Sequence, residues 1–416
     1  MNQRELRNKF PFFMLFFPNF FSVSITLTFK CFYCVLKNQN KEITMLFTLS
    51  EAGVKKDLAK SITEAYIEGS IFEQFIGTGD NAPIKTQNET GNTNGLVDMR
   101  LRANIRTGGV KDNEDFETNR GKLGNLYQQL ILEVHGNSVE SGEDVKLLNQ
   151  TQFINFREDA KDGLTEQETD KLDRIILSRA TADCTCIVAA GHRTDITTAN
   201  IAATDYATVA DIRDVIATAK SSKHKDGSKK PKVKPYKTII TTDTHGVSIK
   251  RKIYLMFVGE ATAFNLKQDP AWAEAQQSAT DIGLGSPIFT GQLGVIDDCV
   301  LMDIGTVTED YAGIYTSAET GFDGQSFAGY AGALGIKTEV NILMGATAMV
   351  MPMDSGFNYY EEPYDMERKA RIGIDRHMAI QKARFVGKKA HEIASSFHNK
   401  DFGIVAFVAS AAKNEN

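Results

Sequence analysis

The sequence predicts an α+β protein, and three observations predict it. Apolar residues alternate with polar ones at Val97, Met99, Leu101, Ala103 and Ile105, the period of a half-buried strand. Apolar stripes at helical spacing recur, as at Leu172, Ile175, Ile176 and at Val209, Ile212, Val215, Ile216. The two kinds of segment interleave without the strand–helix–strand rhythm of a doubly wound sheet. At 416 residues the chain can bury a sizeable core in two or three structural units.

In chain order, Ser50 caps a predicted helix running to about residue 68, with Gly69 as its stop. A polar stretch from Gly77 to Gly95 reads as an extended arm. Two strands follow, Leu96 to Ile105 and Leu126 to Val134, joined by the charged segment Arg106 to Leu123. Together they predict a long β-hairpin with a large polar tip. Such a hairpin is marginal alone in water and must lie against something else. Two helices are expected next. The first is Thr151 to Asp162, stopped by Gly163; the second opens on a Thr165-to-Glu168 capping box. A further helix is expected over Val209 to Lys220. Lys223 to Lys237 holds seven Lys in fifteen residues and reads as a solvated, mobile insertion, with contact to DNA or an acidic surface as the alternative. A buried-type strand is predicted at Ile253 to Val258, a helix at Glu260 to Lys267 and a strand at Val295 to Ile304. Asn341 to Met353 reads as a strand or short buried helix, and Ile404 to Ala409 as a final strand.

The first 44 residues differ from the rest. They hold 9 of the 25 Phe behind Arg4, Arg7 and Lys9, which imitates a signal or anchor segment. Pro11 and Pro18 interrupt the run, and no small-residue cleavage site follows. We read residues 1–44 as a leader that is a mis-assigned start, with the protein beginning at Met45. A targeting segment is the competing reading.

Searches for chemistry end in structural readings. Formal net charge is -6, where a protein built to grip phosphates is usually basic. Five Cys are too few and odd for a disulfide framework. Cys31 and Cys34 have ligand spacing, but Cys184 and Cys186 stand one residue too close for a zinc knuckle and read as small core residues sharing one strand face. His391-Glu392 opens like a zinc-protease motif, yet the position four on is Ser395. Asp297-Asp298 with Asp303 reads as a polar turn before a strand. No phosphate-binding glycine motif and no nucleophile elbow occurs. No catalytic, cofactor or metal residue is assigned, no cofactor is expected, and the chain is read as structural and not as an enzyme.

One set of segments is more specific. Tyr254-Leu255-Met256-Phe257-Val258 is followed by Leu266-Lys267-Gln268-Asp269-Pro270-Ala271-Trp272, then by Ser286 to Val295 with Pro287-Ile288-Phe289-Thr290-Gly291. Downstream stand Ile342 to Ala348, the charged Tyr359 to Arg368, Lys382 to Phe385 and Asp401 to Val405. In order and spacing this resembles the major capsid family of N-four-like podophages, over about residues 50 to 412. The resemblance implies the Hong Kong 97-type coat fold. It divides the chain into an N-terminal arm (45–95), an extended loop (96–140), a peripheral domain with a spine helix (141–204), an axial domain (205–349) and a return to the peripheral domain (350–416). It implies hexamers and pentamers of this chain closing an icosahedral head around double-stranded DNA, assembled in the bacterial cytoplasm. The implied partners are other copies, a portal, scaffold or decoration proteins and, non-specifically, packaged DNA; no membrane and no small-molecule substrate are expected. On this basis the candidate inter-subunit contacts are Arg106, Lys111, Asp112, Glu114, Asp115, Glu117, Arg120 and Lys122. An encapsulin-like shell and a soluble α+β enzyme are the alternatives.

Overall fold

The computed structural model describes residues 70–88, 95–102, 125–141, 156–191, 200–242, 248–272, 292–304, 336–354, 356–366, 368–384, 399–401 and 403–413, with isolated positions between them, all inside the unit Lys60–Asn416. The strands are β1 (Ile76–Gly77), β2 (Ile84–Asn88), β3 (Leu96–Arg102), β4 (Asn125–Ile131), β5 (Glu133–Glu140), β6 (Ile187–Ala189), β7 (Lys237–Thr242), β8 (Ser248–Val258), β9 (Gln292–Ile296), β10 (Cys299–Asp303), β11 (Ile314–Tyr315), β12 (Thr338–Met344), β13 (Met349–Met353), β14 (Asn358–Tyr364), β15 (Lys369–Met378), β16 (Gln381–Lys382) and β17 (Ile404–Ser410). The helices are α1 (Phe156–Thr181), α2 (Val209–Lys220) and α3 (Glu260–Gln268).

The apolar runs of the second half of the chain build one sheet, ordered β6-β17-β12-β8-β10-β9. Their near-continuous hydrophobicity has a physical cause: both faces are covered. On one face Ile253, Leu255, Phe257, Val340, Ile342, Met344, Ile404, Ala406 and Val408 pack with α1 and with Phe72 and Phe75 of the preceding arm. On the other, Tyr254, Met256, Val258, Leu343, Val405 and Phe407 pack against α2 and α3. Each fully buried Leu, Ile or Phe contributes about 1.5–3 kcal/mol.

A second sheet runs β1-β2-β13-β15-β14, with β5 on β15 and β16 on β13. It shares the first core through Met349, Met351, Ile372, Ile374 and Met378. β12 and β13 lie in different sheets, so Asn341 to Met353 is neither one strand nor a helix. The break falls at Gly345, where an added Cβ would lie 2.2 Å from the Lys234 carbonyl oxygen. The chain then bends through Thr347, which has a positive φ of 52°.

Several expectations are corrected. The two helices expected after residue 150 are one, because α1 runs through Gly163 without a stop. Thr165 caps nothing; its hydroxyl donates back to the Lys161 carbonyl, 2.8 Å away. Val295 to Ile304 is a hairpin, β9–β10, turning at Asp297-Asp298. The Lys223 to Lys237 segment is not a mobile insertion. Lys223 bridges Lys229, and His224, Lys230 and Val233 are buried. Cys184 and Cys186 do not share a face: one belongs to the first core and the other to the second. α2 is as expected, closed by a capping box between Thr208 and Asp211. Of the helix expected from Ser50 to 68 only Ile62 is described, helical and buried. The leader, His391 and Ser286 to Gly291 lie outside the described residues.

Candidate functional site

The hairpin is formed. β3 and β4 pair antiparallel from Leu96 opposite Ile131 to Arg102 opposite Asn125. Val134, expected on the same arm, belongs instead to β5, which pairs with β15. The alternation read from the sequence separates two faces. Val97, Met99 and Leu130 are buried against Val350, Ala379 and Ala383. Gln128 clasps this root to the body: its Nε2 donates to the Lys382 carbonyl at 2.8 Å, and its Oε1 accepts from the Arg384 amide at 3.1 Å. The opposite face carries Leu96 and Ile131, direct cross-strand partners that are 46% and 66% exposed, with Val134 close along the chain at 64%. Leu96 and Ile131 thus form an exposed apolar pair on a ribbon whose other face is anchored, and Val134 is a third exposed apolar side chain at the start of β5.

Beyond the root, the candidate contacts are only partly described. Asp112, Asp115 and Glu117 are exposed, and Asp115 turns the chain by accepting the Glu117 amide at 3.0 Å. Arg106, Lys111, Glu114, Arg120 and Lys122 lie outside the described residues.

The Asp269-Pro270-Ala271-Trp272 motif has a mechanical explanation. Asp269 ends α3, and its Oδ2 accepts the first amide of α2, from Val209, at 2.9 Å. Its Oδ1 accepts the Ala271 amide at 3.0 Å, and its carbonyl accepts the Trp272 amide at 2.9 Å. Trp272 then packs half-buried against the second core. One carboxylate thus ties two helices to one face of the sheet.

Sequence reasoning missed Glu339. It is buried on β12, where Oε2 accepts the Thr262 amide at 2.6 Å and the Thr262 hydroxyl at 2.5 Å, capping α3 from 77 residues away. Asn341 braces the same turn by accepting the Gly259 amide at 2.8 Å and donating to the Thr262 hydroxyl. Burial pushes the Glu339 carboxyl up to about 7 against the pull of the Thr262 hydrogen bonds. Only glycine fits at 259, because a Cβ there would sit 1.8 Å from Glu339 Oε1.

The remaining polar groups are structural. Asp298 meets Lys220 at 2.5 Å and Arg251 at 3.7 Å, and Asp297 meets Arg213 at 3.5 Å, so the expected polar turn is pinned by cations. Cys184, Cys186 and Cys299 are free and buried. Burial pushes the Cys186 thiol up to about 12, the protonated and unreactive form. Among the described residues no group of His, Cys, Asp and Glu could hold a metal, and no helix is long and apolar enough to cross a membrane.

The described fold combines a sheet buried on both faces, a long helix packed against it and a hairpin with one face anchored and Leu96 and Ile131 exposed on the other. The chain matches the family described as "Phage capsid protein" over residues 47–414 and belongs to that family. It is 25% identical over 338 residues to "Major structural protein ORF14" of Helicobacter pylori bacteriophage KHP30, covering 74% of this chain and 83% of that one. Among solved structures it is similar to the head of Helicobacter pylori bacteriophage KHP40, with a TM-score of 0.66 and 22% identity over 82% of this chain and 92% of the other. The acid-stable capsid of bacteriophage KHP30 gives 0.62 and 22% over 82% and 91%, and the capsid of Ralstonia phage GP4 gives 0.58 and 18% over 83% and 92%. The fold is therefore the Hong Kong 97-type coat fold, and the chain is a structural coat protein of the virion.

Proposed function

We propose that this chain forms hexamers and pentamers that close an icosahedral head around double-stranded DNA, in the manner of N-four-like podophages. The role is structural and not catalytic. The observation that carries the reading is the exposed pair Leu96 and Ile131 on a hairpin whose other face is fastened to its own body, with Val134 exposed just beyond it on β5. Residues 96–140 act as the extended loop, whose tip and exposed face lie against a neighbouring copy. The tip residues Arg106, Lys111, Asp112, Glu114, Asp115, Glu117, Arg120 and Lys122 set register there, since rim charges govern orientation more than affinity. Residues 45–95 are the arm, 141–204 and 350–416 the peripheral domain with α1 as its spine, and 205–349 the axial domain. Many weak contacts multiply into a stable shell. Portal, scaffold or decoration proteins and packaged DNA complete the partners, and assembly takes place in the bacterial cytoplasm.

Deleting residues 108–121 tests the loop. The deletion should leave a folded chain by circular dichroism and abolish shells in negative-stain micrographs. Normal shells from the deletion would overturn the role.

A further inference from the structure

Charge is distributed unevenly along this chain. Between residues 220 and 252 stand eleven Lys and Arg against two Asp, in a protein whose net charge is -6. Apart from the half-buried Lys234, the structure separates these cations into two groups. Lys220 and Lys225 are paired with Asp298 and Asp214, Arg251 leans on Asp298, and Lys230 is buried. Lys223, Lys229, Lys232, Lys237, Lys250 and Lys252 are exposed, and among the described residues none of them pairs with a carboxylate. Elsewhere long side chains that reach an acid take it, as Arg157 does with Glu361 and Arg371 with Glu140.

These six lysines lie on one continuous stretch of packed backbone, the bridged 223–229 loop leading into the β7–β8 ribbon. In that ribbon Lys252 stands opposite Thr238 and Lys250 opposite Ile240, so the four share a face, and all four are exposed, while Lys237, opposite Ile253, is exposed on the other side of the ribbon. The two lysines stand roughly 7 Å apart by strand geometry. A two-stranded ribbon is one of the elements that a DNA major groove admits. No Arg, Asn or Gln stands on this face to read a base edge, so recognition would be of phosphate and not of sequence.

We propose that this lysine-bearing loop and ribbon are the chain's contact with packaged double-stranded DNA and turn toward the head interior. The proposal rests on the coat-protein reading and adds to it the surface and the orientation. Six lysines spread over loop and ribbon give weak, salt-sensitive attachment that lets DNA slide during filling.

Fluorescence anisotropy of a labelled 30-base-pair duplex with the full chain, across 50–200 mM NaCl, tests it. A variant carrying Lys232→Gln, Lys237→Gln, Lys250→Gln and Lys252→Gln should keep the wild-type melting temperature, since none of the four is paired. It should lose about 0.9 of salt slope per lysine, about 3.6 in all, and bind on the order of tenfold or more weakly at 50 mM. Absence of binding by the wild type at 50 mM, or equal binding by the variant, would overturn the proposal. So would lysine-dependent binding of a synthetic 106–122 peptide in place of the duplex, which would make this face a protein contact. Negative-stain micrographs of the same preparations keep the two readings apart: normal shells without duplex binding remove this face and leave the coat role intact.

Discussion

A carboxylate in the wall between a sheet and a helix carries the clearest pH signature of this protein. Glu339 has an ordinary value near 4.5 and is raised by burial to about 7 in the folded chain. Between those values the folded state holds a proton that the unfolded chain has released. The associated stabilisation is complete below about 4.5 and is lost as pH rises through about 7, of order 3 kcal/mol at most. Glu339→Gln keeps an acceptor for Thr262 without the titration, so its melting temperature should vary less between pH 4.5 and 8. An unchanged pH profile would remove Glu339 as the source. Gly259→Ala should cost roughly 1–3 kcal/mol in denaturant melts, because the new methyl has nowhere to go beside that carboxylate. Little of this was legible beforehand. Glu339 is one acid in an unremarkable stretch, and its role comes from Thr262, 77 residues away, through a strand pairing that no local pattern encodes. Asp269 was legible only as part of a family motif; its double hydrogen bonding explains why an acid stands there. The face assignment of Cys184 and Cys186 failed because the chain before β6 is not yet a strand, so alternation does not apply.

At the scale of elements, what the sequence showed depended on how local each cause was. α2 and α3 were placed within a residue or two, since stripe and boundary chemistry lie inside the segment. α1 was cut in two because Gly163 and Thr165 carry stop and start chemistry. The structure overrides it: Ala160, Leu164, Leu172, Ile175 and Ile176 bury one stripe across the supposed gap, and packing outweighs about 1 kcal/mol of glycine propensity. The run from Asn341 to Met353 was misread because a strand buried on both faces shows no period. The β3–β4 hairpin was legible because half of it faces water. Gln128→Ala should loosen it at the root, leaving the Lys382 carbonyl and Arg384 amide without this partner at a cost of about 2 kcal/mol. Hydrogen exchange should quicken in residues 96–102 and 125–131 while β12 and β17 stay protected; uniform quickening would mean that the clasp belongs to the global fold instead. Basic segments were the hardest to judge. The Lys223 to Lys237 composition suggested a loose loop, and only the buried His224, Lys230 and Val233 show that it is packed.

For the whole molecule, alternating and helical stripes made the class legible, and the order of short motifs spread from Tyr254 to Val405 made the family legible. How copies meet was legible only as an expectation, because the partner of an exposed face is another chain. In the assembled head Leu96, Ile131 and Val134 must be covered by a second copy. Ile131 and Val134 are mostly exposed, so the variant with Asp at both should melt within a few degrees of the wild type. Negative-stain electron microscopy of the purified full-length chain, wild type beside this double variant, measures the central claim directly. The account predicts closed shells of uniform diameter from the wild type and only small folded species from Ile131→Asp/Val134→Asp. Uniform shells from the variant, or a wild type that stays a small oligomer at every concentration, would contradict it.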